Sequence, residues 1–210
     1  MSRDQSGRPL RGRLLLTAAL VAAVLVAAGC SSTDGSSEHG HADVSFASRM
    51  IPHHAQAVAM ADMTIGRPGI THHLEKLAER VRETQTPEID TMAFWLKEWD
   101  EPVPQTGYGT GDAHDHSEGM DMMNGGSDGM PGMMSGRDVR RLLRLHGAEF
   151  ERRWLTMMIE HHQGAVRMAR TELEHGENKD ALALAGHVVA AQRAEIAEMR
   201  AMRRAVRSSA

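Results

Sequence analysis

The chain has 210 residues, a formal net charge of −4 and an aromatic content of only 3%. That length suits one domain with appended segments, and no basic patch with interleaved aromatics is present, which excludes a nucleic-acid binder. The one cysteine, Cys30, excludes internal disulfides and cysteine-based metal sites.

Residues 1–29 read as an export signal. Arg3, Arg8, Arg11 and Arg13 precede an uncharged apolar run from Leu14 to Gly29 that is short for a membrane span. Ala27-Ala28-Gly29-Cys30 resembles a bacterial lipobox, which implies cleavage before Cys30 and lipid on its thiol. Ala27 stands where Leu is more usual, so secretion without an anchor stays open, as does an uncleaved anchor helix. Loss of four Arg and Asp4 with the signal takes the formal charge from −4 to −7.

Residues 30–42 are Ser/Gly-rich and polar, a flexible tether. The first helical hairpin is expected over 43–104. Phe46, Met50, His53, Ala57 and Met60 form one stripe of an amphipathic helix that Gly66-Arg67-Pro68-Gly69 stops. The following helix, from about Ile70 to Trp99, carries Leu74, Leu77, Val81, Ile89, Met92 and Leu96, with a kink or break expected at Pro87. Residues 105–136 lack periodicity and are rich in Gly, Asp, His and Met, which predicts a disordered crossover. A second hairpin is expected over 137–207, as a long helix ending near His175-Gly176 and a last helix from about Lys179 to Val206.

The two hairpins are copies of one unit. Met50-Ile51-Pro52-His53-His54-Ala55-Gln56-Ala57-Val58-Ala59-Met60-Ala61 recurs as Met158-Ile159-Glu160-His161-His162-Gln163-Gly164-Ala165-Val166-Arg167-Met168-Ala169. Gln85, Glu88, Ile89 and Met92 recur as Gln192, Glu195, Ile196 and Met199. Neither hairpin can bury its apolar face alone, so the expected fold is all-α: a four-helix bundle built from two repeated hairpins joined by a long central crossover.

Adjacent helical residues lie about 100° apart, so each His pair divides. His53 shares a stripe with Met50 and Met60, and His161 with Met158 and Met168. His54 and His162 face another neighbour. Symmetric packing would bring His53 beside His161 with the four Met around them. Imidazole and thioether together suit copper, Cu(I) especially. The motifs lack the carboxylate clusters that Mg²⁺ or Ca²⁺ need, and cysteine, the usual structural zinc ligand, is missing from them. A buried Met is more often core and a lone buried His more often a hydrogen-bond partner, so the matched duplication is what carries the metal reading. The candidate ligands are His53, His54, His161, His162, Met50, Met60, Met158 and Met168. Gln85, Glu88, Gln192 and Glu195 are candidates to hold the imidazole tautomers, or simply a polar helix face.

The crossover adds a separate signal. His114, His116, Met120, Met122, Met123, Met130, Met133 and Met134 lie among Asp112, Asp115, Asp121 and Gly, which reads as an accessory, flexible soft-metal chelator. His39 and His41 of the tether could join it. Low-complexity drift is the alternative.

The double Met-Ile-x-His-His-x-x-Ala-Val-x-Met-Ala motif, each copy followed by Gln-x-x-Glu-Ile-x-x-Met, resembles the Domain-of-Unknown-Function 305 family of exported bacterial proteins. The resemblance spans about Val44 to Met202 outside the crossover. It implies a ferritin-like helical bundle outside the cytoplasm, with copper binding and copper tolerance in some relatives. It also implies functional positions at the eight Met and His residues of the repeat; Glu151 departs from the more usual Asp. The expected function is an exported, lipid-anchored protein that binds or buffers copper, as Cu(I) or Cu(II), and is not an enzyme. Its expected partners are the metal ion and, through Cys30, the membrane; homo-oligomerisation stays open. Two alternatives remain. One is a ferritin-like redox enzyme, for which Glu172-x-x-His175 offers half a motif; the other is a metal-free envelope interaction module.

Overall fold

A computed structural model of the protein describes residues 38–106 and 130–208. The export signal, Cys30, most of the tether, and His114, His116, Met120, Met122 and Met123 of the crossover lie outside the described residues. Among those described, the chain is entirely helical: α1 His41–Asp62, α2 His72–Glu98, α3 Gly136–Leu143, α4 Gly147–His175 and α5 Lys179–Ser208. The four long helices form a bundle of two hairpins, α1 on α2 and α4 on α5, joined mainly through α1 against α4.

Helix α1 starts at His41, within the expected tether, because the side chain of Asp43 accepts the Gly40 N–H (2.7 Å) and satisfies one otherwise orphaned donor. His39 is held too, its ring stacked on Trp99 at 4.6 Å. Pro87 does not end α2, which runs through it from His72 to Glu98. The single helix expected from Arg137 is in fact two, parted at Arg144–His146. Arg67 from the α1–α2 turn donates to the carbonyls of Leu143 and Leu145 (3.1 and 2.8 Å) and lies over the Phe150 ring. Those carbonyls are therefore engaged from outside the helix, and Gly147 takes a positive φ of 49°. Buried Glu151 accepts from the backbone N–H and the hydroxyl of Thr71, the N-cap of α2.

Helices α1 and α4 run antiparallel. At one end Gly69 approaches Gly147, and the buried Trp154 indole donates to the Met60 carbonyl (3.0 Å). At the other end the Asp43 carboxylate accepts the N–H groups of Glu177 and Asn178, the latter at 2.9 Å. Burial raises the Asp43 carboxyl, but the hydrogen bonds from Glu172 and from three backbone donors leave it below its ordinary range. Burial and the neighbouring Asp43 carboxylate push Glu172 up to about 8, so Glu172 keeps its proton at neutral pH.

The core falls into two clusters along this antiparallel pair. Met60 and Met158 pack in one with Leu74, Phe150 and Trp154. Met50 packs in the other with Phe46, Ala165 and Ala169, and Met168 lies against it. The paired histidines fall between the Met positions on both helices, at the middle of the bundle.

Candidate metal centre

Antiparallel packing of two like helices brings like positions together at their crossing point. His53 of α1 and His161 of α4 meet there, ring centroids 3.7 Å apart and planes tilted by 35°, with exposures of 0% and 1%. Burial lowers both imidazoles: His53 falls to about 3, aided by His54 and opposed by a hydrogen bond to Pro131, and His161 falls well below its ordinary value. Both rings are neutral at physiological pH.

The hydrogen bonds fix which nitrogens are bare. His53 Nε2 lies 3.1 Å from the Pro131 carbonyl oxygen. A carbonyl only accepts, so Nε2 carries the proton and donates, and Nδ1 is left with a lone pair and no partner. Neither nitrogen of His161 makes a hydrogen bond, since the His53 backbone lies near it but outside hydrogen-bond geometry. A buried polar atom without a partner costs about 1–3 kcal/mol, so three at one contact are an expensive arrangement; a bound cation would relieve the two that carry lone pairs, His53 Nδ1 and one nitrogen of His161.

The second histidine of each pair is used differently. His54 Nε2 meets Glu88 Oε2 at 2.8 Å and His162 Nε2 meets Glu195 Oε2 at 2.7 Å. Burial raises the Glu88 carboxyl, but the hydrogen bonds from His54 and from His187 outweigh it and leave it ionised. These matched contacts tie α1 to α2 and α4 to α5. Replacing Glu88 or Glu195 with alanine is expected to strand a fully buried His donor and cost about 1–3 kcal/mol each, read as a lower urea midpoint at unchanged slope. The Nδ1 atoms of His54 and His162 have no partner, nor do the buried side-chain oxygens of Gln85 and Gln192.

The thioethers are not equivalent. Met50, Met60 and Met158 are fully buried beside the pair along their helices, whereas Met168 is half-buried and lines a cleft of about 290 Å³ with His41, Phe46 and Glu172. Glu172 also faces Asp43 rather than the histidines, so the Glu172-x-x-His175 pair does not join this centre.

The crossover corrects one sequence expectation. Met134 is not part of a flexible chelator: it is buried in the core, and its backbone is gripped by Gln56. Met130 and Met133 are half-buried in the segment that crosses the histidine pair. This segment is seated by two glycines. Gly132 has φ +86°, and a side chain there would press on Glu160 and His161. A Cβ on Gly164 would collide with the Pro131 carbonyl oxygen and lie 2.6 Å from its carbon. Gln56, Pro131, Gly132 and Gly164 were not singled out by sequence. The signal available was a mismatch, since Gln56 and Gly164 hold the same place in the two motifs and differ.

Among the described residues no three His, Cys, Asp or Glu side chains group closely enough to hold a metal ion. Met50, Met60 and Met158 are the sulfur candidates for a third donor. Two neutral imidazoles in ring contact, each with a bare lone pair, with thioethers along the same helices, fit a soft ion.

The family model of the domain of unknown function DUF305 matches residues 43–203. The chain belongs to the DUF305 family. Among solved structures it is similar to a DUF305 protein from Streptomyces coelicolor taken to be secreted, with 30% identity and a TM-score of 0.61 over 75% of this chain and 88% of that one. A DUF305 fragment from Deinococcus radiodurans gives 29% identity and 0.61 over 78% and 95%. CopM in its Cu(II)-bound form gives 29% and 0.59 over 77% and 95%, and CopM has also been solved with Cu(I) and with silver. No curated protein matches the chain.

Proposed function

We propose that this DUF305 protein binds copper outside the cytoplasm and buffers it there, with the His53–His161 pair as its buried soft-metal centre. The observation that carries the reading is the contact between two neutral, fully buried imidazoles whose lone pairs have no protein partner. The copper- and silver-bound forms of CopM support it. In this reading His53 and His161 supply nitrogen, Met50, Met60 and Met158 are the nearest sulfur candidates along the helices, and His54 and His162 hold the hairpins. When bound, the ion satisfies the stranded lone pairs of His53 and His161; binding and release, not turnover, are the activity. The basic, apolar N-terminus and Cys30 support export and lipid attachment, and no described helix is long and apolar enough to cross a membrane.

Equilibrium dialysis of the metal-free protein against Cu(I), Cu(II), Zn²⁺ and Ni²⁺ tests the reading. Copper is expected to bind more tightly than zinc or nickel, with one tight equivalent absent in the His53→Leu/His161→Leu variant. Equal affinity for zinc, or a tight copper equivalent that survives that variant, contradicts it.

A further inference from the structure

A ligand histidine works best when its other nitrogen is committed, because an N–H given to a carbonyl fixes the tautomer and aims the bare nitrogen at the metal. Here the committing group is remote in sequence: the Pro131 carbonyl reaches His53 Nε2 across 78 residues. A main-chain carbonyl at the end of a long crossover has no intrinsic reason to stay there. The molecule holds it with a two-point clamp. Buried Gln56 donates from Nε2 to the Met134 carbonyl (2.9 Å) and accepts the Met134 N–H on Oε1 (2.8 Å). Gln56 is three residues from His53 on α1, and Met134 is three residues from Pro131, so clamp and carbonyl sit side by side across one helical turn.

The opposite wall is shaped to match. Gly164, in the repeat position equivalent to Gln56, leaves the space that the Pro131 carbonyl fills, and its Cα hydrogen side faces His53 Nε2 closely enough that a Cβ would be 3.1 Å away. One repeat position has thus become a grip and its twin a recess, both serving the same carbonyl. His161 has no such partner on either nitrogen.

We propose that Gln56 is the positioning residue of the histidine pair: by clamping the Met134 backbone, with Gly164 as the recess, it seats the Pro131 carbonyl on His53 Nε2 and so presents His53 Nδ1 to a soft metal ion. The assignment deepens the copper-binding reading and rests on it for the identity of the ion, but the tautomer it predicts exists without metal.

The test uses the full metal-free protein labelled with ¹⁵N-histidine, read by long-range ¹H–¹⁵N correlation, followed by Cu(I) titration against a competing chelator. Wild type is expected to show His53 as a single Nε2–H tautomer. Gln56→Leu removes both arms of the clamp, Gln56→Glu keeps only the acceptor for the Met134 N–H, and Gly164→Ala displaces the carbonyl without touching Gln56. Gln56→Leu and Gly164→Ala are expected to give a mixed His53 tautomer and a 10–100-fold loss of Cu(I) affinity, with Gln56→Glu between them and wild type. Should Gln56→Leu fail to fold, Gly164→Ala and Gln56→Glu carry the same comparison. An unchanged Nε2–H tautomer in the folded variants overturns the proposal, and so does a loss of affinity with no change of tautomer. A wild-type protein with the expected tautomer response but no Cu(I) binding overturns the copper reading and leaves the positioning of His53 standing.

Discussion

Replacing His161 with leucine is expected to stabilise the metal-free protein while weakening Cu(I) binding at least about 100-fold, beyond the 10–100-fold typical of losing an outer partner. The two effects share one cause. Both His161 nitrogens are buried without hydrogen bonds, so the imidazole brings a desolvation cost of about 1–3 kcal/mol that an apolar side chain of similar size does not carry. One of those nitrogens carries the lone pair that a soft cation would use. His54→Leu and His162→Leu are expected to act with the opposite sign on stability, because each leaves a partly buried glutamate, Glu88 or Glu195, without its imidazole partner. Urea unfolding of the metal-free variants, beside chelator competition for Cu(I), checks both halves. A destabilised His161→Leu with unaltered copper affinity would show that His161 is an ordinary core residue.

Acidification is expected to unfold the metal-free protein, starting just below pH 6.5. Burial lowers His53 to about 3 when folded from an ordinary 6.5, and lowers His161 well below 6.5 as well. Between those values the unfolded chain binds more protons than the folded one, so stability falls as pH falls. At pH 5 the loss is roughly 2 kcal/mol for His53, with His161 adding to it in the same direction, against the 5–15 kcal/mol that a domain ordinarily holds. Glu172 slopes the other way. Its folded value is raised to about 8 from an ordinary 4.5, so its contribution is fully present below 4.5 and is lost as pH rises to 8. Two histidines outweigh one carboxyl below 6.5, and the carboxyl acts alone above it, which places the stability maximum near pH 6.5. Thermal unfolding across pH 4–9 measures this. The His53→Leu/His161→Leu variant is expected to flatten the acid limb, and Glu172→Gln the alkaline one. An acid limb unchanged in the double variant would assign it to other groups.

The division of each histidine pair was legible in sequence because helical angles are local: Met50, His53 and Met60 must share a stripe, and duplication made His161 the natural neighbour of His53. Constant spacing in both copies also made Glu88 and Glu195 candidates to hold imidazoles, alongside Gln85 and Gln192, but did not say which histidine each would meet. What was not legible depended on residues distant in sequence meeting in space. The break before α4 comes from Arg67 taking the carbonyls of Leu143 and Leu145, and nothing near residue 144 announces it. Pro87 signals a break by local rules, yet α2 continues through it. The crossover read as disordered from Gln105 to Gly136, but its last residues are fixed by Gln56 and by two glycines whose neighbours lie in other elements. The Asp43–Glu172 pair was invisible for the same reason, since its members stand at opposite ends of two antiparallel helices.

The central claim is that the first copper ion enters between His53 and His161 rather than in the Met/His-rich crossover. X-ray absorption on the protein loaded with a single equivalent of Cu(I) tests it most directly. The account predicts imidazole nitrogen together with sulfur around the copper, and loss of the imidazole signature in His53→Leu/His161→Leu. A shell of sulfur alone, or a spectrum identical in wild type and the double variant, would contradict it.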